Sequence, residues 1–378
     1  MHDHRPSTVT TPSPATLFVA LDLSRSSWVA AVHAPHAAGK VSRHKLAPGA
    51  EGLLALIERL RSQAERALGT PVRVASCHEA GRDGFWLHRV LQKAGIENRV
   101  IDPASLLVDR RARRAKTDRL DAEALLRALM ALCRGEPRVC AVVRAPSVEE
   151  EDARRTTRER ANLLKERVRH VNRIKGLLAT QGIDDYQPLR PDRLERLGAL
   201  VTGDGRPLPE RLAAEVRRHL RRLELVLEML EEVEAERDRA AAAAPGKAAA
   251  LLRLKGLGAE SAAVLGAEVF YRAFANRRGV AAYAGLVPSP FASGDSCREQ
   301  GVSKAGNPRV RRVMVELAWL WVRFQPESAL SQWFAARVGP AKGRVRRIAI
   351  VALARKLLVA LWRYVETGLV PTGAVLKA

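Results

Sequence analysis

Cysteine is scarce in this chain and never paired. Cys77, Cys133, Cys140 and Cys297 are scattered with no CxxC spacing. That pattern offers neither a zinc site nor a disulfide framework, so the four read as reduced thiols. Long apolar runs are missing as well. The best candidate, Ile348 to Leu361, is interrupted by Arg355 and Lys356 and falls short of the ~20 residues that span a bilayer. The opening MHDHRPSTVTTPSPAT is polar and proline-rich, without the apolar core of a signal peptide, and reads as a disordered tail. The expected location is therefore the cytoplasm, with no membrane partner. No internal repeat marks a solenoid.

What the chain does have is length, apolar content and a large surplus of positive charge. Its 378 residues, 47% of them hydrophobic, are enough to bury several separate cores. Lys and Arg number 64 against 41 Asp and Glu, a formal charge of +23. A surplus of that size exceeds what solubility requires and points to a polyanionic partner.

The order of elements predicts an α/β domain followed by all-α segments. From Leu17 the chain reads as three strands (LFVALDLS, WVAAVH, VSRHKL), a helix from Gly52 to Leu68, a strand (VRVASC), a helix from Phe85 to Ala94 and a strand (NRVID). Three strands able to form a meander, followed by alternating strand and helix, fit a ribonuclease-H-like sheet. After Glu149 the sequence turns to charge-rich helix. A later helix carries Ala213, Val216, Leu220, Leu223, Leu227 and Leu230 at spacings of three and four, the signature of a coiled-coil seam. Such a stripe predicts an antiparallel helical arm that makes contacts between subunits. The AAAAAPGK run at Ala240 to Lys247 closes the arm, and the rest is basic and helical, with loops at GLVPSPFASG and SKAGNP. The expected boundaries are a tail at 1–15, an α/β domain at 16–148, a coiled-coil arm at 149–245 and a helical domain at 246–378.

Four acids stand where packing has no use for them. Asp22 ends an apolar strand and Glu79 follows another, while Asp118 and Asp121 are three apart in KTDRLDAEALLRALM and share one helical face. Converging carboxylate oxygens are what hard divalent cations such as magnesium take as ligands. The basic run Arg110, Arg111, Arg113, Arg114 and Lys116 leads into the same helix and is suited to gripping a phosphate backbone beside a metal. Taken singly, each acid is equally well a turn or cap residue.

In the last third, LKGLGAESAAVLGAEV is similar to a helix-hairpin-helix element, in which Gly256 and Gly258 would let backbone N–H groups approach a phosphate. Beyond it lies a loop with Ser289, Ser293, Ser296 and Ser303, followed by Lys304, Asn307, Arg309, Arg311 and Arg312. A serine hydroxyl becomes a useful nucleophile only where an activating site holds the scissile phosphate beside it. Spacing alone does not choose among the four.

The blocks ALDLS, CHEAG and KTDRLDA resemble, in that order, the signatures of the DEDD-type insertion-sequence transposases related to the Piv DNA invertase and to the RuvC resolvase. GLVP, the SG pair and SKAGNPRVRR resemble the C-terminal transposase domain of the same family, so the likeness covers nearly the whole chain. The resemblance implies a RuvC-like N-terminal domain with magnesium or manganese held by Asp22, Glu79, Asp118 and Asp121. It places the nucleophile on Ser293, with Ser296 and Ser303 close enough to share the assignment. It further implies donor and target DNA as substrates, a structured guide RNA encoded by the element as in bridge recombinases, and a dimer or synaptic tetramer on the nucleoid. The rival enzyme is a RuvC-like junction endonuclease in which metal-activated water cuts.

Overall fold

Strand β1 (Thr16–Leu23) is followed directly by β2 (Trp28–His33) and β3 (Val41–Leu46), and the three form an antiparallel meander. The computed structural model describes residues 15–37, 39–81, 84–106, 118–137, 139–243, 246–293 and 296–377. Side chains within those ranges are described except at 104, 118–121, 243, 290–293 and 296–300. The chain divides into two compact units, Met1–Pro146 and Ser147–Ala378.

The first unit continues with α1 (Ala50–Leu68), β4 (Arg73–Glu79), α2 (Trp86–Lys93), β5 (Glu97–Ile101), α3 (Asp118–Cys133) and β6 (Val142–Val143). The six strands make one mixed sheet in the order β3-β2-β1-β4-β5-β6, with β1, β4 and β5 parallel. Both faces of β1 are covered, which is why its sequence lacks polar alternation. Leu17, Val19 and Leu21 pack with Leu53, Leu56 and Ile57 of α1 on one side. Ala20 and Cys77 pack with Ala122, Leu125, Leu126 and Leu129 of α3 on the other. This mixed sheet flanked by helices is compatible with the ribonuclease-H-like expectation.

The second unit opens with α4 (Val148–Asp152), α5 (Arg155–Ala179), α6 (Arg193–Gly198) and α7 (Glu210–Ala243). Helices α5 and α7 lie against each other, and the apolar stripe of α7 is covered from within the chain. Val216, Leu220 and Leu223 pack with Ile174 and Leu178, and Leu230 with Leu163. The stripe therefore does not need a second subunit to leave solvent, because α5 supplies its partner face. Arg160–Glu234 (2.6 Å) and Arg173–Glu215 (2.9 Å) flank that contact.

There follow α8 (Lys247–Leu252), α9 (Ala259–Leu265), a single π-helical turn (Gly266–Phe270) and α10 (Arg277–Tyr283). The chain then forms a two-stranded antiparallel hairpin, β7 (Pro288–Ser293) and β8 (Ser296–Val302), before α11 (Pro308–Phe324), α12 (Ala329–Val338) and α13 (Arg344–Thr367). One apolar core joins α8 to α13, centred on Trp321, Leu353, Leu357 and Leu361. No described helix is long and apolar enough to cross a membrane.

Candidate active-site residues of the two units

In the first unit, the register of β1 against β4 decides which acids meet. Leu21 is paired with His78 in parallel, so Asp22 and Glu79 stand side by side one rung further, at the carboxyl ends of adjacent strands. Both share the parity of Ala20 and Cys77, whose side chains pack beneath α3. Side chains alternate along a strand, so both acids belong to the α3 face of the sheet.

Helix α3 runs antiparallel to β4 and β5. Burial pushes up the thiol of its last residue, Cys133, which also feels the charges of Arg99 in β5 and of Glu97 and Arg73 at the strand starts. The Cys77 thiol donates to the Leu125 carbonyl at 3.7 Å midway along the helix. The first turn of α3, with Asp118 and Asp121, therefore lies toward the end of the sheet that carries Asp22 and Glu79. Ala122, Leu125 and Leu129 form the buried face of that helix. The side chains of Asp118 and Asp121 lie outside the described residues, as does the whole of the run containing Arg110, Arg111, Arg113, Arg114 and Lys116.

Among the described residues no three acidic, histidine or cysteine side chains form a metal-sized cluster. The donor chemistry nevertheless suits a hard divalent cation: Asp22 and Glu79 contribute carboxylates from neighbouring strand ends. Carboxyl ends of parallel strands are also where open α/β sheets place their ligands.

In the second unit, the serine-rich segment is a β-hairpin rather than the loop that its composition suggests. Ser289 and Ser293 lie on β7 and Ser296 on β8, with Ser293 and Ser296 directly paired at the hairpin end. Two prolines in β7 and a polar β8 masked the strands in the sequence. The signal that was available is Gly294-Asp295, a two-residue turn dipeptide between the serines.

Residues 303–307 are stitched to the end of α10. Ser303 N–H donates to Val287 O (2.8 Å) and Asn307 N–H to Tyr283 O (2.7 Å). Lys304 takes a left-handed conformation (φ 56°), and the Arg311 guanidinium donates to its carbonyl at 2.9 Å. Gly306 has φ 135°, and a Cβ there would meet Tyr283 O at 2.5 Å and Gly285 N at 2.6 Å. The SKAGNP segment thus needs glycine both for backbone angle and for room.

Asn307 is committed at both ends. Its Oδ1 accepts from Arg309 N–H (3.0 Å) and Val310 N–H (3.3 Å), capping α11, and Pro308 takes the first helical position. Its Nδ2 donates to Glu268 Oε2 at 3.0 Å. Asn307 and Arg311 therefore build the loop, while Lys304 and Arg312 are exposed and Arg309 is half-buried.

Glu268 carries no signal in the sequence that sets it apart from a surface acid. This acid sits on the π turn with its side chain 2% exposed, and takes Nε of Arg158 at 2.8 Å and an Nη at 3.2 Å. Burial pushes its carboxyl up, but the hydrogen bonds from Arg158 and Asn307 outweigh that and hold it below the usual 4.5. π turns often mark functional positions, but no residue pattern announces them.

The helix-hairpin-helix-like turn between α8 and α9 is covered on one side. Gly256 has φ 90°, and a Cβ there would lie 3.0 Å from Phe324 Cβ, whereas Gly258 faces open space. Lys255 N–H donates to Val375 O (3.1 Å), and the buried Gln325 holds both Lys255 O and Val375 O at 2.8 Å.

Comparison with known proteins agrees with both halves. Residues 19–181 match the DEDD transposase family of IS110 elements. Residues 248–332 match the transposase IS116/IS110/IS902 family. A putative transposase of Sinorhizobium fredii, y4rJ, is 54% identical over 374 residues, covering 96% of this chain and 94% of that protein. A second from the same organism, y4qE, is 29% identical over 74% of this chain and 66% of its own length. A probable family 20 transposase of Pseudomonas aeruginosa is 27% identical over 77% and 83% respectively.

Proposed function

Because the chain belongs to the DEDD transposases of the IS110 family, and so is an enzyme that cuts and rejoins DNA, we propose that it does so with a serine nucleophile on β7 and a carboxylate-held metal in the first unit. The observation that carries this reading is the placement of Asp22 beside Glu79 at the carboxyl ends of β1 and β4, with α3 bringing Asp118 and Asp121 toward the same end. These four residues would hold magnesium or manganese. The bound ion would supply charge stabilisation to the phosphodiester being exchanged.

Ser293 is the proposed nucleophile. Its oxygen forms a bond to phosphorus as one strand end leaves with its hydroxyl, giving a phosphoserine ester. A hydroxyl of the partner strand then attacks the same phosphorus and releases the serine, so one phosphodiester is broken and one made. Lys304, Arg309 and Arg312 hold the backbone nearby by contacts that carry no sequence information. Selection of the site by a structured RNA encoded by the element, and assembly as a dimer or synaptic tetramer on nucleoid DNA, belong to the same proposal. The expected division into a RuvC-like domain, a coiled-coil arm and a helical transposase domain does too. The charge surplus of +23 supports polyanion binding in general.

The test is a denaturing gel of end-labelled DNA incubated with magnesium. Protein should stay attached to wild-type cleavage products and be absent with Ser293→Ala, whose DNA binding persists, while Asp22→Asn cuts nothing. Free cleaved ends from Ser293→Ala at the wild-type rate would favour the water-using nuclease, unless Ser296→Ala proves inactive and takes over the assignment.

A further inference from the structure

A cavity of about 250 Å³ lies between α5, α9 and the start of α11, lined among others by Thr157, Lys165, Glu260, Glu268, Arg309 and Arg312. Its two acids are already neutralised by arginines outside the lining. Glu268 is held by Arg158 (2.8 Å), and Glu260 by Arg237 (3.2 Å) and Arg160 (3.4 Å). The three lining cations are thereby left in surplus. Among the described residues neither Lys165 nor Arg309 pairs with an acid, and Arg312 has only the exposed Glu316 at 3.3 Å, a contact worth little in water.

The elements converge here by construction. Thr157, Ala161 and Lys165 repeat every fourth residue on α5 and turn one stripe of that helix to the cavity. The Asn307 cap and the Glu268–Arg158 pair fix α11 and α5 on either side of it. At about 250 Å³ the cavity is smaller than the ~300–1,000 Å³ pockets that enclose whole ligands. It suits one anionic group of a longer chain.

We propose that this cavity is a phosphodiester-binding pocket, in which Lys165 of α5 joins Arg309 and Arg312 of α11 around a single backbone phosphate. The inference rests on the nucleic-acid-cutting reading above and adds to it a residue from the arm. A phosphodiester is common to DNA and RNA, so the source is left to the experiment. A grip spanning α5 and α11 makes nucleic-acid binding depend on both helices at once.

The experiment measures equilibrium binding of the full chain to a labelled DNA duplex and, in a second arm, to a labelled RNA of the same length, across a salt series. Replacing Lys165 with Ala removes one phosphate contact. The slope of log affinity against log salt should fall by about 0.9 for duplex DNA or about 0.7 for single-stranded RNA, roughly eightfold weaker duplex binding at 0.1 M salt. An effect in one arm names the source. Lys165→Arg should bind like wild type, and an unchanged melting temperature shows that Lys165→Ala is folded. If Lys165 and Arg309 hold the same phosphate, the double variant loses less than the sum of the singles. Additive losses, or an unchanged slope in both arms for a folded Lys165→Ala protein, overturn the pocket. Failure of the wild type to bind either probe would instead overturn the reading beneath it.

Discussion

Arg158 and Glu268, 110 residues apart, meet in a two-point ion pair at 2.8 and 3.2 Å, and Asn307 donates to the same carboxylate. One buried acid thus ties α5 to the cap of α11 and to the segment that follows the serine hairpin. Glu268→Gln leaves Arg158 without its charge partner. The expected cost is about 2–3 kcal/mol in urea denaturation, below the ~3–5 kcal/mol of a fully buried pair because Arg158 is 44% exposed.

The same pair sets a pH dependence. The Glu268 carboxyl titrates below its ordinary 4.5 in the folded chain, so its stabilisation is fully present above pH 4.5 and is lost as pH falls through the lowered folded value. The melting temperature of the wild type should therefore drop in acid, and the Glu268→Gln protein should lose less over the same interval. Parallel curves for the two proteins would mean that another carboxylate carries the acid response.

Gly306 offers a test of how tightly the SKAGNP segment is held. A Cβ there would collide with the backbone of Ala282, Tyr283 and Gly285 at 2.5–2.7 Å, and backbone atoms cannot rotate aside. Gly306→Ala should cost at least about 2 kcal/mol and should lower strand cleavage more than DNA binding. Gly301→Ala is the comparison, because its φ is 85° with nothing within 4 Å of the added atom. Only the left-handed strain of about 1–2 kcal/mol should appear there. Equal effects at the two positions in denaturation and cleavage assays would contradict the close approach.

The helical arm makes a further prediction about assembly. Leu223 is fully buried against α5, so Leu223→Ala should cost about 2–5 kcal/mol of stability and leave the mass of the folded protein unchanged. Leu225 and Met229 are 52% and 38% exposed and share the outer face of α7 one turn apart. Glu at both should leave the unfolding free energy within about 1 kcal/mol of wild type, and should lower the mass seen in sedimentation if the arm joins subunits. A reduced mass with Leu223→Ala and none with the outer-face pair would return the seam to the interface.

Much of the first unit was legible because its signals are local. WVAAVH and VSRHKL are strands with the bounds that their composition suggests, and helix α1 starts two residues before the expected Gly52. Asp22 and Glu79 stood out as charges ending apolar strands, a feature visible within a few residues of each. In the second unit the heptad spacing of α7 showed that a partner helix must cover Leu220 and Leu223, but not which one. Either α5 of the same chain or a second copy satisfies the same periodicity, since an apolar stripe records that it is buried and not by what.

The sequence by itself determined most of the strand and helix pattern of the first unit, the surplus of cations and the identity of the acids and serines proposed for the site. Tertiary structure alone decided that β1 and β4 pair in the register that sets Asp22 beside Glu79, because register depends on backbone hydrogen bonds between segments 57 residues apart. It also decided that Glu268 is the buried hub of the second unit. An acid on a helical turn resembles any solvated surface charge until the chain returns, through α5 and α11, to bring Arg158 and Asn307 against it. Local periodicity carries no trace of such a partner, because desolvation and charge pairing act through space between residues that no sequence window contains together.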